Sequence, residues 1–201
     1  MSKIEDLIQE YCPDGVEYKS LPEVTEKLSG SPITAAKMKT LSVENGDITI
    51  FGGGSTVIKT DASHVQNLKI ITEPSVLCKS RGIIDFEYCD FPYTFKQEMW
   101  AYKACNGVDA KFLYYFLTTQ IPFLRGKSEA MGSMPQISNS DTNRIMVPVP
   151  PLPVQQEIVR ILDTFTEMNE SLQSELAARH QQYEYYRDKL LTFRRKETSH
   201  G

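Results

Sequence analysis

Val147-Pro148-Val149-Pro150-Pro151-Leu152-Pro153 divides the chain into two parts of different character. Four prolines in the six residues 148–153 fix φ and withhold backbone donors, which argues against helix and central strand alike. The stretch reads as an extended, polyproline-like connector over 148–153. Such a run also suits an SH3-type partner. Between two units of different patterning it reads as a stiff spacer.

After the connector, residues 154–196 carry one long helical pattern, from about Val154 to Arg195, with no Gly or Pro. At 1.5 Å per residue it would extend roughly 60 Å. Its apolar positions follow a seven-residue frame. Leu162, Asn169, Leu176, Tyr183 and Leu190 take the a positions, and Ile158, Phe165, Leu172, Arg179, Tyr186 and Phe193 take d. This is a coiled-coil seam with two polar interruptions, and an Asn at an a position commonly sets register and partner number. A domain of the size that precedes it would be only about 30 Å across. Most of the seam is therefore expected to meet another helix.

Before the connector the chain is β-rich. Asp47–Phe51, Leu68–Thr72, Ser75–Cys78 and Met99–Ala104 read as strands, separated by Gly, Asn, Asp and Pro clusters. Lys3–Tyr11 and Ala110–Thr119 read as helices, the second capped by Asp109. The expected fold class is α+β, a β-rich mixed domain followed by a long coiled-coil helix. Its expected divisions are an N-terminal helical segment (1–18), the domain (19–147), the connector (148–153), the helix (154–196) and a tail (197–201).

Composition agrees: 201 residues, 40% hydrophobic and 24% charged, describe a folded globular chain. No apolar run reaches the roughly 20 residues of a membrane span, and no secretory signal pattern opens the chain. Cys12, Cys78, Cys89 and Cys105 form no C-x-x-C pair and read as reduced thiols. A cytoplasmic protein without a membrane partner is expected. The formal net charge of −4 is uneven: residues 1–18 hold one Lys against five acids, whereas 19–147 hold 14 basic residues against 13 acidic. The overall acidity therefore does not exclude a nucleic-acid partner.

No catalytic or metal constellation emerges. Gly52-Gly53-Gly54-Ser55-Thr56 lacks the Lys-Ser/Thr and following helix of a phosphate loop. It reads either as a hairpin turn or as bare backbone that a bulky ligand such as DNA can approach. Asp90-Phe91-Pro92-Tyr93 resembles the Asp-Pro-Pro-Tyr loop of adenine methyltransferases but has Phe91 where Pro belongs, and no cofactor-binding turn precedes it. It reads as a turn. His64, His180 and His200 have no neighbouring nucleophile or second ligand. What remains is a set of basic and polar residues read as lying in loops: Lys37, Lys39, Thr56, Lys59, Lys79, Ser80, Arg81, Lys96, Gln97, Arg125, Lys127, Ser128, Ser133 and Gln136. Lys and Arg neutralise phosphates, and Arg and Gln present paired hydrogen-bonding groups to base edges. These are the candidate DNA-binding residues.

The order of the pieces resembles one half of the specificity subunit of Type I restriction-modification enzymes. The resemblance rests on Tyr11-Cys12-Pro13-Asp14-Gly15-Val16-Glu17-Tyr18-Lys19-Ser20-Leu21, on Ser75–Gly82, on Phe112–Leu117, on Gly132–Ser138 and most of all on Ile145–Asp163, where paired prolines and Gln lead into an amphipathic helix. It implies a target recognition domain that reads one half of a two-part site in double-stranded DNA, followed by a helix that pairs antiparallel with a second one. It implies a non-catalytic chain with no cofactor of its own. A modification subunit would use S-adenosylmethionine to methylate adenine, and a restriction subunit would use ATP and Mg²⁺ to cut. Full subunits carry two such units and this chain carries one, so the resemblance points to a homodimer through the long helix. The acidic ends and the outer helix face are the expected docking surfaces for the modification subunit. The alternative is a coiled-coil adaptor whose α+β domain binds a protein, with Val147–Pro153 as docking peptide.

Overall fold

The computed structural model describes residues 3–129 and 135–193. Ser133, His200, the expected tail 197–201 and the last turn of the expected helix lie outside them. The elements run α1 (Lys3–Tyr11), β1 (Tyr18–Ser20), α2 (Leu21–Val24), β2 (Thr25–Ser29), α3 (Ala35–Leu41), β3 (Ile48–Phe51), β4 (Val57–Thr60), a 3₁₀ turn, β5 (Ser75–Lys79), β6 (Asp85–Cys89), β7 (Tyr93–Phe95), β8 (Trp100–Ala104), α4 (Ala110–Thr118), α5 (Ile121–Glu129), α6 (Asn139–Thr142), β9 (Met146–Pro148) and α7 (Leu152–Leu191). They form two compact units, Met1–Val159 and Arg160–Gly201.

In the first unit a four-stranded antiparallel sheet, β2-β8-β5-β6, is covered on both faces. Strand side chains alternate between faces, so β5 and β8 each feed two cores. Val76, Cys78, Trp100 and Tyr102 pack with Phe112, Leu113 and Leu117 of α4 and Leu124 of α5. Leu77 and Ala101 point the other way, into Phe51, Tyr93 and Phe95 of a second sheet. That sheet has the order β4-β3-β7, with β3–β4 antiparallel and β3–β7 parallel. Ile48 and Ile50 on its far side meet Ile33, Met38 and Val65. The result is four layers: helices, sheet, sheet, and α3 with the 3₁₀ turn. A strand buried on both faces reads as a continuous apolar run, which is why Ser75–Cys78 is conspicuous in the sequence.

Local chemistry sets several boundaries. Asp109 accepts from the Lys111 and Phe112 amides, both at 2.9 Å, and so caps α4 as expected. Thr34 caps α3 through the Lys37 amide at 3.2 Å. Leu68–Thr72 is not a strand. Only Ile71 pairs, exchanging two backbone bonds with Tyr93 at 2.8 and 2.9 Å. Its partner β7 is three residues long, and at the next bonding position the Phe95 carbonyl accepts the Ser31 amide at 2.7 Å while the Lys69 amide donates to the Ser31 hydroxyl at 2.9 Å, so the ladder does not extend. Tyr93 itself begins a strand rather than ending a turn. It is fully buried and its hydroxyl shares a 2.7 Å hydrogen bond with Ser75, so its ring is not available to stack on a flipped base.

The proline-rich segment is more structured than an extended connector. Met146–Pro148 pairs antiparallel with Tyr18–Ser20, and the Val149 amide donates to the Glu17 carbonyl at 2.8 Å. Pro148 closes an edge strand, where its missing donor costs nothing. Pro153 falls in the first turn of α7, where the amide has no helical partner anyway. Val147 and Pro150 are buried, so this segment is not a free docking peptide.

Gln155 holds the start of α7. It is fully buried, and its amide nitrogen donates to the Gly107 carbonyl at 2.8 Å and the Pro150 carbonyl at 2.7 Å, while its oxygen accepts from the Asp109 amide at 2.8 Å. Beside it, buried Glu157 accepts from Lys3 of α1 at 2.7 Å. Ile158 packs against the main core, so the first d position of the expected seam belongs to the domain.

In the second unit, α7 continues to Leu191, and Phe193 lies just beyond its end. Phe165, Leu172, Leu176, Tyr183, Tyr186 and Leu190 are between 49% and 68% exposed. The seam positions Asn169 and Arg179 are exposed too, and Leu162 is half-buried. Arg179 pairs with Glu175 one turn back at 3.4 Å. Among the described residues no helix is long and apolar enough to cross a membrane.

Replacing Gln155 with Leu keeps the volume but strips partners from two carbonyls and one amide. A loss of about 3 kcal/mol is expected, at 1–3 kcal/mol per unsatisfied buried group. Urea unfolding of the variant should show the lower midpoint, and an unchanged midpoint would refute the anchoring role.

Candidate nucleic-acid interface

Four turns meet on one face of the first unit. The β3–β4 hairpin 52–56 closes with the Gly52 amide donating to the Thr56 carbonyl at 2.8 Å. Its tip reaches the turn after β5, where the Gly54 amide points to the Arg81 carbonyl at 3.4 Å. On the other side of that turn, the Gly82 amide donates to Pro135 at 2.8 Å, the Ile137 amide donates to Ser80 at 3.0 Å, and Arg81 bridges Gln136. The β7–β8 turn is attached by the Lys96 amide, which donates to Phe51 at 3.1 Å. Gly54 (φ +64°) and Gly82 (φ +81°) sit in the left-handed region. A Cβ on Gly82 would lie 3.4 Å from Gly54 Cα, so the two turns meet backbone to backbone.

Three adjoining hollows run along these turns. One of about 290 Å³ includes Lys39, Gly53, Thr56 and Lys96. The next, about 390 Å³, shares Gly53 and Lys96 with it and adds Gly54, Arg81, Gly82 and Glu98. The third, about 310 Å³, shares Gly82 and adds Ile83, Arg125 and Pro135. The glycine hairpin is thus both a turn and an open stretch of backbone. Lys39, Thr56, Arg81, Lys96 and Arg125 are brought together from segments as much as 86 residues apart.

The other candidates divide. Lys37 and Lys59 are exposed on α3 and β4 and enter no ion pair among the described residues, and Gln97 and Gln136 are exposed beside the hollows. Lys79 is ion-paired with Glu87 and lies 5.5 Å from the Phe51 ring centre. Lys127 pairs with Asp141 at 3.6 Å and covers the Phe123 ring at 4.8 Å. Ser80 and Ser128 are each only 2% exposed. The Ser80 hydroxyl donates to the Glu98 carbonyl at 2.9 Å, and the Ser128 hydroxyl accepts from the Gln136 amide at 2.7 Å. These two serines hold the turns together from behind instead of facing a ligand. The loop assignment also needs correction. Lys37 and Lys39 lie in α3, and Arg125, Lys127 and Ser128 in α5, whose first turn accommodates Pro122. Arg125 Nε donates to the Ile84 carbonyl at 3.0 Å, which sets its direction.

The lining also includes Ile83 and Glu98, which the sequence does not single out. Ile83 is exposed, and no local pattern marks it. Glu98 is an acid among cations, and no local sequence pattern marks it either. Burial raises its carboxyl, but the hydrogen bonds from Lys96 and its own backbone, with the Lys96 and Arg81 charges, outweigh this and hold it below the usual carboxylate range. No group of three or more metal-ligating side chains occurs among the described residues.

The sequence model of the Type I restriction modification DNA specificity domain matches residues 13–178. The chain belongs to this family. A similar curated specificity-domain protein is the Type I restriction enzyme EcoR124I/EcoR124II specificity subunit of Escherichia coli, 29% identical over 91% of this chain and 50% of that one. The fold is shared with a chain from a type I R-M system complex (TM-score 0.63, 18% identity, 91% of this chain and 48% of the other). It is also shared with the S subunit of M. genitalium (TM-score 0.60, 20% identity, 88% and 46%). The chain spans about half the length of the curated relative it matches. As a specificity-family domain it combines the α+β class and the long helix expected from the sequence.

Replacing Ser80 with Ala should lower stability by about 1 kcal/mol through the lost bond to the Glu98 carbonyl. For a chain of this size that is about 3 °C in melting temperature. An unshifted melt would show that the hydroxyl does not support the turn.

Proposed function

We propose that this chain recognises double-stranded DNA as a specificity subunit, reading one half of a two-part site and steering adenine methylation and cleavage by partner subunits. The observation that carries this reading is the run of cations along bare glycine backbone, on one face of a domain whose family is defined by DNA specificity. Glycine lets a phosphate backbone come close, while Lys39, Lys96, Arg81 and Arg125 supply charge and directed donors. The chain itself performs no chemistry in this reading. S-adenosylmethionine is used by the modification subunit, and ATP and Mg²⁺ by the restriction subunit. The acidic segment 1–18 and the outer face of α7 are the surfaces offered to the modification subunit.

A second copy supplies the other half-site. Large apolar side chains recurring at heptad spacing, each about half or more exposed, are the signature of a helix that pairs. An antiparallel partner helix from another copy covers Phe165, Leu172, Leu176 and Tyr183, and the dimer then reads a two-fold symmetric, interrupted sequence.

Binding should weaken linearly in log K against log salt, with a slope of about −0.9 for each phosphate neutralised. Titration by fluorescence anisotropy checks this, and a salt-independent affinity would favour a protein partner instead. Light scattering at micromolar concentration should give twice the monomer mass. Joint replacement of Leu172 and Leu176 by Glu should return it to one. A monomeric parent chain would sink the pairing.

A further inference from the structure

Among the described residues lining the three hollows, Glu98 is the single acid. Phosphates repel a carboxylate, so a surface that only tracks backbone gains nothing from it. Yet Glu98 is held firmly: its carbonyl accepts the buried Ser80 hydroxyl at 2.9 Å, and its carboxylate accepts from Lys96. Arg81, the residue after Ser80, lines the same hollow and carries a charge that Glu98 feels. One hydrogen bond therefore couples the turn bearing the acid to the turn bearing the arginine.

We propose that Arg81 and Glu98 together read one G·C base pair from the major groove. This rests on the DNA-recognition reading above and deepens it. Guanine presents two acceptors, N7 and O6, and cytosine presents one amino donor at N4. A guanidinium gives two parallel donors to the first, and an ionised carboxylate, which can only accept, takes the second. An A·T pair does not offer this order. A carboxylate placed against thymine O4 sets acceptor against acceptor, and against adenine it meets N7 beside the amino group. Lys96 keeps the carboxylate ionised without competing for the base, because a carboxylate has lone pairs for several donors.

The test is methylome sequencing of cells that express the chain with its modification subunit, as parent, Glu98→Gln and Arg81→Ala. The parent should give a two-part motif with a G·C pair in each half. Each variant should relax that same base pair, with discrimination falling about 10-fold or more, while the other positions stay as they were. Both address one pair, so if one variant fails to assemble the other decides. A motif unchanged at every position, with only the methylation level altered, would reduce Glu98 and Lys96 to a supporting ion pair and overturn the inference. Relaxation at two different base pairs would overturn it as well. No sequence-specific motif for the parent chain would instead bring down the DNA-recognition reading.

Discussion

A single side-chain amide, that of Gln155, satisfies three backbone groups in the interior of the first unit, and much of the arrangement follows from it. The Gly107 and Asp109 groups belong to the turn that opens α4, and the Pro150 carbonyl lies in the proline-rich segment just before α7. Buried backbone groups without partners are costly. The beginning of the long helix is therefore tied to the beginning of the helix that covers the central sheet. Asp109 caps α4 with its carboxylate and offers its amide to Gln155, so both helices start from one shared turn. Glu157 extends the same junction to the N-terminal helix through Lys3.

The double-faced sheet determines where ligand-facing residues can be. With β5 and β8 occupied on both sides by apolar packing, the turns at their ends carry the polar side chains of these hollows. The hollows form there, because hairpin 52–56, turn 80–83 and turn 96–98 emerge from adjacent strands of the two sheets and interlock through backbone hydrogen bonds. Ser80 illustrates the division of labour. Its hydroxyl stabilises a neighbouring turn, while Arg81 beside it faces outward. Burial also pushes the thiols of Cys78 and Cys89 up, so at neutral pH they remain protonated members of the core.

The long helix, the capped helix α4 and the run Ser75–Cys78 were legible in the sequence because each depends on local pattern: a seven-residue repeat, an Asp followed by an apolar face, an uninterrupted apolar strand. Leu68–Thr72 has the composition of a strand but lacks the partner length to form one, and that length is a property of Tyr93–Phe95. Pro148 and Pro153 were read as breakers, yet an edge strand and a first helical turn both tolerate a missing amide. At the site, residue type identified Lys39, Thr56, Arg81, Lys96 and Arg125, which do share one surface. The inward direction of Ser80 and Ser128 depends on contacts made across long stretches of chain. Glu98 was invisible for a related reason, since its meaning comes from the cations around it and not from its neighbours in sequence.

The pairing of Tyr18–Ser20 with Met146–Pro148 brings the entry and exit of the layered domain into register as adjacent antiparallel strands. Some 125 residues of layered sheet thus hang from a two-stranded clasp. A fold closed in this way can be exchanged as a cassette. Any domain spliced between an N-terminal segment and a helix of this kind must therefore bring the clasp and also a turn that offers Gln155 what the Gly107 carbonyl and the Asp109 amide offer it here.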